Sequence, residues 1–273
     1  MTTKPAIAII QARMSSSRLP GKVMKPLAGR PMIWHIVQRA NACQQVDQVV
    51  VATSAEPSDD PLADFCVKAG ISCHRGSLNN VLGRYLAVLN EHPYPYFVRI
   101  TGDCPLIDPD FIDRQVEALA AHDGDVIWLS RVAPLLAGAG VFSTSSVRYI
   151  AAHSDHHDDL EHVGFRYLVE HPDDFRIIGM RPPPELSQSD WRVTVDEQSD
   201  YEVMSQLYEA LWATGLITLD SARAWLTNNL ALSRMNQQVV DSAINQELHA
   251  KQRALEKHIS LFCDWANPTK VVL

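Results

Sequence analysis

Four strand-like runs, Ala6 to Ile10, Gln48 to Thr53, Ile71 to His74 and Tyr96 to Thr101, constrain the fold of this chain more than any other feature. The first two are apolar without interruption, and a strand apolar on both faces belongs inside a parallel sheet covered by helices on each side. The segments between the runs fit such helices. Pro31 sits where a first turn tolerates it, opening Met32 to Ala42. An amphipathic stretch from Pro61 to Ala69 is closed by Gly70, and Ser77 can cap Leu78 to Glu91, which carries Val81, Tyr85, Val88 and Leu89 on one face. Asp108 and Pro109 are cap and first-turn residues for Phe111 to Ala121. Strands alternating with helices at this spacing predict βαβ units and an α/β fold. Ligands bind at the carboxyl ends of the strands in such sheets, so the loops after Ile10, Thr53, His74 and Thr101 should line one crevice.

Beyond Ile127 the pattern loosens. It predicts strands at Val126 to Leu129, Phe175 to Met180 and Trp191 to Val195, and a helix from Asp158 to His171. Ser199 with Glu202 fits a capping box before a helix from Tyr201 to Trp212. From Asp220 onward the chain reads as helical and amphipathic. The expected division is an α/β domain over 1–219 and a C-terminal helical extension over 220–273. The balance of 32 acidic against 24 basic residues argues against a nucleic-acid polymer as partner, because such binding rests on excess Lys and Arg. No apolar run approaches the roughly 20 residues of a membrane helix, and no signal segment begins the chain, so a cytoplasmic protein without a membrane partner is expected. The 5 cysteines are odd in number and form no CxxC pair, which points to reduced thiols rather than a disulfide framework or a cysteine zinc site.

The stretch IIQARMSSSRLPGK places Arg13, Arg18 and Lys22 directly after the first strand. Cations this close repel one another unless an anion sits among them, and Gly21 lets a backbone approach closely. The loop is neither GxxxxGK[ST] nor GxGxxG, and a merely solvated basic loop is the competing reading. In RITGDCPLID, Asp103 follows a buried strand and a glycine; in RVTVDEQSD, Asp196 also ends an apolar run. Either acid alone is as easily a turn former. Together, opposite a basic loop, they suit a hard cation such as Mg²⁺, which takes one or two carboxylates plus substrate phosphates. The run HSDHHDDLEHV, with His153, His156, His157 and His162, invites zinc, but an acid-rich helix N-terminus accounts for it more simply.

Taken in order, IIQARMSSSRLPGK, KPLAGRPMIWH, VVVATS, RITGDCPLID, DLEHV, HPDDF and WRVTVDEQSDYEV resemble the cytidylyltransferases of the spore-coat polysaccharide biosynthesis type. These are relatives of the acylneuraminate and 3-deoxy-manno-octulosonate cytidylyltransferases, and the similarity runs from about Ala6 to Leu211. The resemblance implies a Rossmann-like nucleotidyltransferase fold, with a mixed, mostly parallel central sheet flanked by helices. It implies transfer of CMP from CTP to an acceptor hydroxyl on a sugar, sugar acid or similar small molecule, releasing pyrophosphate, with Mg²⁺ as cofactor and a homodimer as assembly. Carried over by position, Arg13, Lys22 and Asp103 become catalytic. Gln11, Ala12, Arg13, Arg18, Lys22, Ser77, Arg84, Thr101 and Gly102 become nucleotide-binding, and Asp103 and Asp196 become the metal ligands. Glu161, His162 and Val163 match a motif on the acceptor side. Cys104 is assigned no nucleophilic role, since the transfer needs no covalent intermediate. Two departures stand out: Asn79 and Asn80 occupy positions where relatives often carry acids, and LLAGAGVFS lacks the acid that often precedes the corresponding Val-Phe. A nucleotide-sugar-dependent glycosyltransferase and a non-catalytic nucleotide-binding subunit are the alternatives.

Overall fold

The computed structural model describes residues 5–129, 133–187, 191–239 and 255–272. The first apolar run forms β1 (Ala6–Gln11), buried from Ala6 through Ile10. A short hairpin of β2 (Pro26–Leu27) and β3 (Arg30–Pro31) follows the basic loop and leads into α1 (Met32–Asn41). Next come β4 (Val46–Ser54) with α2 (Asp60–Lys68), β5 (Ser72–Gly76) with α3 (Val81–Glu91), and β6 (Tyr96–Thr101) with α4 (Pro109–His122). They are followed by β7 (Val126–Leu129), β8 (Ala139–Ser143), α5 (Thr144–His153), α6 (His157–His162), α7 (Phe165–Glu170), β9 (Ile177–Met180) and α8 (Pro184–Ser187). The last described elements are α9 (Gln198–Leu211), α10 (Leu219–Asn228), α11 (Leu230–Ser233), β10 (Ile259–Cys263) and β11 (Val271–Val272).

Nine strands share one sheet in the order β11-β10-β9-β7-β8-β6-β1-β4-β5. Five neighbouring pairs are parallel; the antiparallel ones are β6 with β8, β8 with β7, and β10 with β11. The chain steps outward from β1 to β4 and β5, then returns to lay β6 on the other side of β1. That reversal puts the topological switch point between β1 and β6, where a ligand crevice opens at the carboxyl ends. Gln11 and Thr101 are register partners at that end.

Alternate side chains of β1 feed two cores. Ala6, Ala8 and Ile10 pack with apolar residues of α1, α2, α4 and α9, whereas Ile7 and Ile9 pack with those of α3, α5 and α7. Truncating either isoleucine to alanine would cost about 2–5 kcal/mol, the price of a cavity in a closed interior. Arg39 of α1 is a buried strut: its Nε donates to Ile107 O at 2.5 Å and its Nη1 to Ile217 O at 2.7 Å. It thereby fixes the segment that follows β6.

Several expectations fail locally, each for a physical reason. The extension expected to be helical over 220–273 is helical at Leu219–Asn228 and Leu230–Ser233, its stretch 240–254 lies outside the described residues, and Ile259–Cys263 is a strand parallel to β9, so the end of the chain returns to the sheet. Gly179 makes that docking possible, because a β-carbon there would lie 2.5 Å from the Phe262 ring. The helix expected over Asp158 to His171 is broken into α6 and α7 by Val163 and Gly164, both left-handed at φ 57° and 76°. Ser77 does not cap α3. Asn80 does, its Oδ1 accepting Gly83 N–H at 2.6 Å. The capping box of α9 is Glu197 with Asp200 rather than Ser199 with Glu202. Trp191 to Val195 joins no ladder among the described residues; Val195 N–H bonds instead to Asp103 O at 2.8 Å. The strand β8 and the β2–β3 hairpin were not foreseen.

Candidate active site

The two strand ends at the switch point are stitched together by Gly102 N–H, which donates to Gln11 O at 2.8 Å. A β-carbon at residue 102 would stand 2.9 Å from both Ala12 Cβ and Gln11 O, so glycine is needed for this approach. Ala12 itself is buried, with its N–H on Ala52 O at 3.3 Å. The basic loop closes on itself where Gly21, left-handed at φ 70°, donates to Met14 O at 2.8 Å. Its root is braced from β4. Asp59, fully buried, accepts Met14 N–H at 2.6 Å and Ser54 N–H at 3.2 Å, together with the Ser54 hydroxyl.

Lys22, at the end of the loop, reaches back to both candidate metal carboxylates. Its Nζ donates to Asp103 Oδ2 at 3.0 Å, Asp196 Oδ1 at 3.0 Å and Val195 O at 2.9 Å. An ammonium has three protons, and all three are engaged. Burial alone would push the Lys22 pKa down, but the charges of Asp103 and Asp196 outweigh it and hold the pKa above the ordinary value. Burial likewise works to raise the Asp103 carboxyl, yet the Lys22 charge and hydrogen bonds from Thr101, Lys22 and Cys104 keep it below the ordinary range. Thr101 Oγ1 also contacts Cys104 Sγ at 3.4 Å. Burial and the Asp103 charge push the Cys104 thiol up to about 12, so it stays protonated and a poor nucleophile.

Asp196 carries more charge contacts than Asp103. Besides Lys22 it meets Arg18 Nη2 at 2.9 Å and Arg192 Nη2 at 2.5 Å. Behind it stands Asp200, buried, whose Oδ2 accepts the N–H groups of Asp196 and Glu197 at 2.9 Å each. Asp200 Oδ1 takes Arg192 Nε at 3.1 Å and Asn236 Nδ2 at 2.9 Å. Sequence reasoning missed Arg192, Asp200 and Asp59. The first two lie in the quoted RVTVDEQSD, where an arginine four residues before an acid and an acid four after it were the available signal.

The remaining candidates lie on a second side of the crevice. Gln11 Oε1 accepts Tyr85 OH at 3.3 Å and Arg99 Nε at 3.2 Å. Arg13 is exposed, with Glu161 of α6 at 3.9 Å. Arg84 is buried and its Nη1 donates to Ser77 O at 2.5 Å and Leu78 O at 3.2 Å, so it props the loop after β5 through the backbone. Burial lowers its pKa, with the Arg13 charge adding to the effect. The Ser77 side chain is exposed beside it. His162 is turned inward, its pKa lowered by burial and by Arg99, while His156 and His157 remain exposed.

A divalent ion fits the first side on the donors present. Two carboxylates, Asp103 just after β6 and Asp196 just before α9, already converge on one cationic position, held by the Lys22 ammonium, and a hard cation shared with substrate phosphates asks for one or two such ligands.

The sequence model of the cytidylyltransferase family matches residues 7–239. The chain is 33% identical over 208 residues to the spore coat polysaccharide biosynthesis protein SpsF of Bacillus subtilis, covering 74% of this chain and 85% of that protein. A 3-deoxy-manno-octulosonate cytidylyltransferase of Geobacter sulfurreducens is 36% identical over 117 residues, 42% of this chain and 45% of that protein. Among solved structures, a cytidylyltransferase from Leptospira borgpetersenii superposes with a TM-score of 0.77 at 26% identity, covering 87% of this chain and 99% of that one. A CMP:2-keto-3-deoxy-manno-octonic acid synthetase complexed with CTP superposes at 0.57 with 17% identity, over 76% of this chain and 99% of that one, a likeness of fold alone.

Proposed function

The chain belongs to the cytidylyltransferase family, and from that premise we propose that it transfers CMP from CTP to a hydroxyl of a sugar or sugar acid, with Mg²⁺ and release of pyrophosphate. The observation that carries the reading is the Lys22 ammonium, shared at 3.0 Å by Asp103 and Asp196 under the basic loop.

In this reaction an acceptor oxygen attacks the α-phosphorus in line, and negative charge builds on the departing pyrophosphate. Positioning and fixed charge supply most of the acceleration. Arg13, Arg18 and Lys22 stand on one loop to receive that charge. Lys22 must release at least one of its three present partners before it can donate to a phosphate oxygen. Arg192 and Asp200 hold Asp196 in place while that exchange occurs. Asp103 and Asp196 would hold Mg²⁺, which when bound supplies further neutralisation of the triphosphate. The product, a CMP-activated sugar, would feed synthesis of a surface polysaccharide, as the name of the Bacillus subtilis relative suggests. The assembly under this reading is a cytoplasmic homodimer, checked by sedimentation.

The test is pyrophosphate release from CTP with a panel of sugar acids, sugar phosphates and neutral sugars, with and without Mg²⁺. Pyrophosphate formed in step with a CMP-linked acceptor, only when Mg²⁺ is present, is the expected result. Sugar transfer from a nucleotide sugar without pyrophosphate, or CTP binding with no turnover on any acceptor, would overturn it.

A further inference from the structure

Arg99 on β6 is a half-buried cation with no carboxylate beside it among the described residues. Its register partners are Ile9 on β1 and Gly140 on β8, and neither brings a charge. Its Nε donates to Gln11 Oε1 at 3.2 Å. Arginine can only donate, so the oxygen of Gln11 faces it and the amide NH₂ is turned away. Among the described residues, no acid lies within ion-pair distance of its guanidinium, and its Nη1 and Nη2 make no hydrogen bond to protein.

The other groups it senses offer no anion. The charge of Arg99 pushes the His162 pKa further down, beyond what burial does, so that imidazole is neutral at pH 7. The buried Tyr85 phenol, whose hydroxyl reaches Ile9 O at 3.1 Å, is pushed up out of the titrating range by burial. Arg39 and Arg84 meet the cost of burial with carbonyl acceptors, whereas Nη1 and Nη2 of Arg99 have none among the described residues, which leaves them to an anion that arrives from outside. With Nε occupied, the Nη1–Nη2 end of the guanidinium remains as a fork, the geometry that grips a carboxylate or phosphate with two bonds. Its position also fits: Gln11 on one side begins the nucleotide loop, and His162 on the other neighbours Glu161, which reaches Arg13 at 3.9 Å.

We propose that Arg99 reads the acceptor, taking the carboxylate or phosphate of an anionic sugar and so excluding neutral sugars. This rests on the reading of the site as a CMP-transfer centre. Kinetics of Arg99→Gln, which keeps a donor for Gln11, and of Arg99→Lys, which keeps the charge, test it against the parent protein. The probes are 3-deoxy-manno-octulosonate with other sugar acids, sugar phosphates, and neutral sugars, each with CTP and pyrophosphate as the readout. The carboxylate and phosphate arms show which anion is used.

The expected result is turnover of anionic acceptors alone. Arg99→Gln should raise the acceptor KM by at least about tenfold, the loss of a charge-assisted contact, with the KM for CTP within about threefold of the parent. Arg99→Lys should recover part of that loss. Equal turnover of neutral sugars, or an unchanged acceptor KM in Arg99→Gln, overturns the proposal while leaving CMP transfer standing. An equal rise in both KM values also overturns it, since Arg99 would then act only by placing Gln11. No pyrophosphate from any acceptor sinks both readings.

Discussion

Around Lys22, cations and carboxylates interlock. Asp103 and Asp196 share its ammonium, and Arg18 and Arg192 close on Asp196 within 2.9 Å. Around Arg99 the balance is the reverse: among the described residues, Arg99 and Arg13 have between them one acid, Glu161, 3.9 Å from Arg13. The difference teaches how one crevice serves two ligands. The Lys22 side is neutralised in advance and must exchange partners to bind, which keeps its carboxylates and its ammonium together at the reacting centre. The Arg99 side holds an uncompensated charge and gains a partner only from the ligand.

The largest expected effect comes from removing a carboxylate on the Lys22 side. Asp103→Asn and Asp196→Asn should each lower kcat/KM by about 10²–10³-fold, the usual cost of losing one fixed charge at a centre of this kind. Stability should separate them. Asp103 neutralises Lys22 alone, whereas Asp196 neutralises Lys22, Arg18 and Arg192, so urea unfolding should show the greater loss in Asp196→Asn. Equal losses would break the claim that the two acids are unequally loaded.

Lys22→Met comes next. It should weaken CTP binding by about 1.5–3 kcal/mol, roughly one to two powers of ten in Kd by calorimetry, and leave two acids facing one another. The ion pair it removes is fully charged over a wide window. Asp103 titrates below its ordinary 3.8 and Lys22 above its ordinary 10.5, so their contribution fades only as pH falls through the first or rises through the second. The parent's stability margin over Lys22→Met should therefore hold steady from about pH 9 down to the pH at which the two stranded acids of the variant take up a proton, and shrink below it.

Asp59→Ala sharpens the comparison from behind, since Asp59 braces the root of the loop that carries both Arg13 and Lys22. Stranding Met14 N–H and the Ser54 groups should cost about 1–3 kcal/mol of stability and raise the KM for CTP. A change in stability with an unaltered KM would show that the loop holds its shape without the brace.

The smallest effect belongs to the Arg99 side. His162 has a folded pKa below its ordinary 6.5, so the unfolded chain binds a proton the native state refuses. Its stabilising contribution is complete above pH 6.5 and falls as pH drops through the folded pKa. His162→Gln should flatten that part of the stability profile, and an identical profile in parent and variant would show that neither burial nor the Arg99 charge, set against Glu161 and Asp158, shifts His162.

Much of this was legible in the sequence where the signal is local. β1 and β4 follow from unbroken apolar runs, β6 from a strand-like run broken only by Arg99, and α1 and α4 from a 3.6-residue period and the Asp108–Pro109 start, and the mixed, mostly parallel sheet flanked by helices is the one expected. Lys22 and Asp103 were legible because strand ends in a parallel sheet face one crevice, whereas Asp196 reaches the same point from a segment that joins no ladder among the described residues. What stayed hidden depends on partners far away in sequence. β10 is a strand because β9 and Gly179 are there to receive it. Asp59 matters through an N–H 45 residues earlier. Arg99 was quoted only as the first letter of RITGDCPLID, since nothing local reveals that β8 sets a glycine beside it.

The most direct test is thermal unfolding with CTP, with and without Mg²⁺, on the parent protein and on Asp103→Asn and Asp196→Asn. A ligand that binds only the native state raises Tm, and raises it further the tighter it binds. The expected outcome is a Tm rise with CTP that Mg²⁺ enlarges in the parent and leaves unchanged in either variant. An equal Mg²⁺ increment in all three proteins would contradict the assignment of the metal and triphosphate to the centre held by Lys22, Asp103 and Asp196.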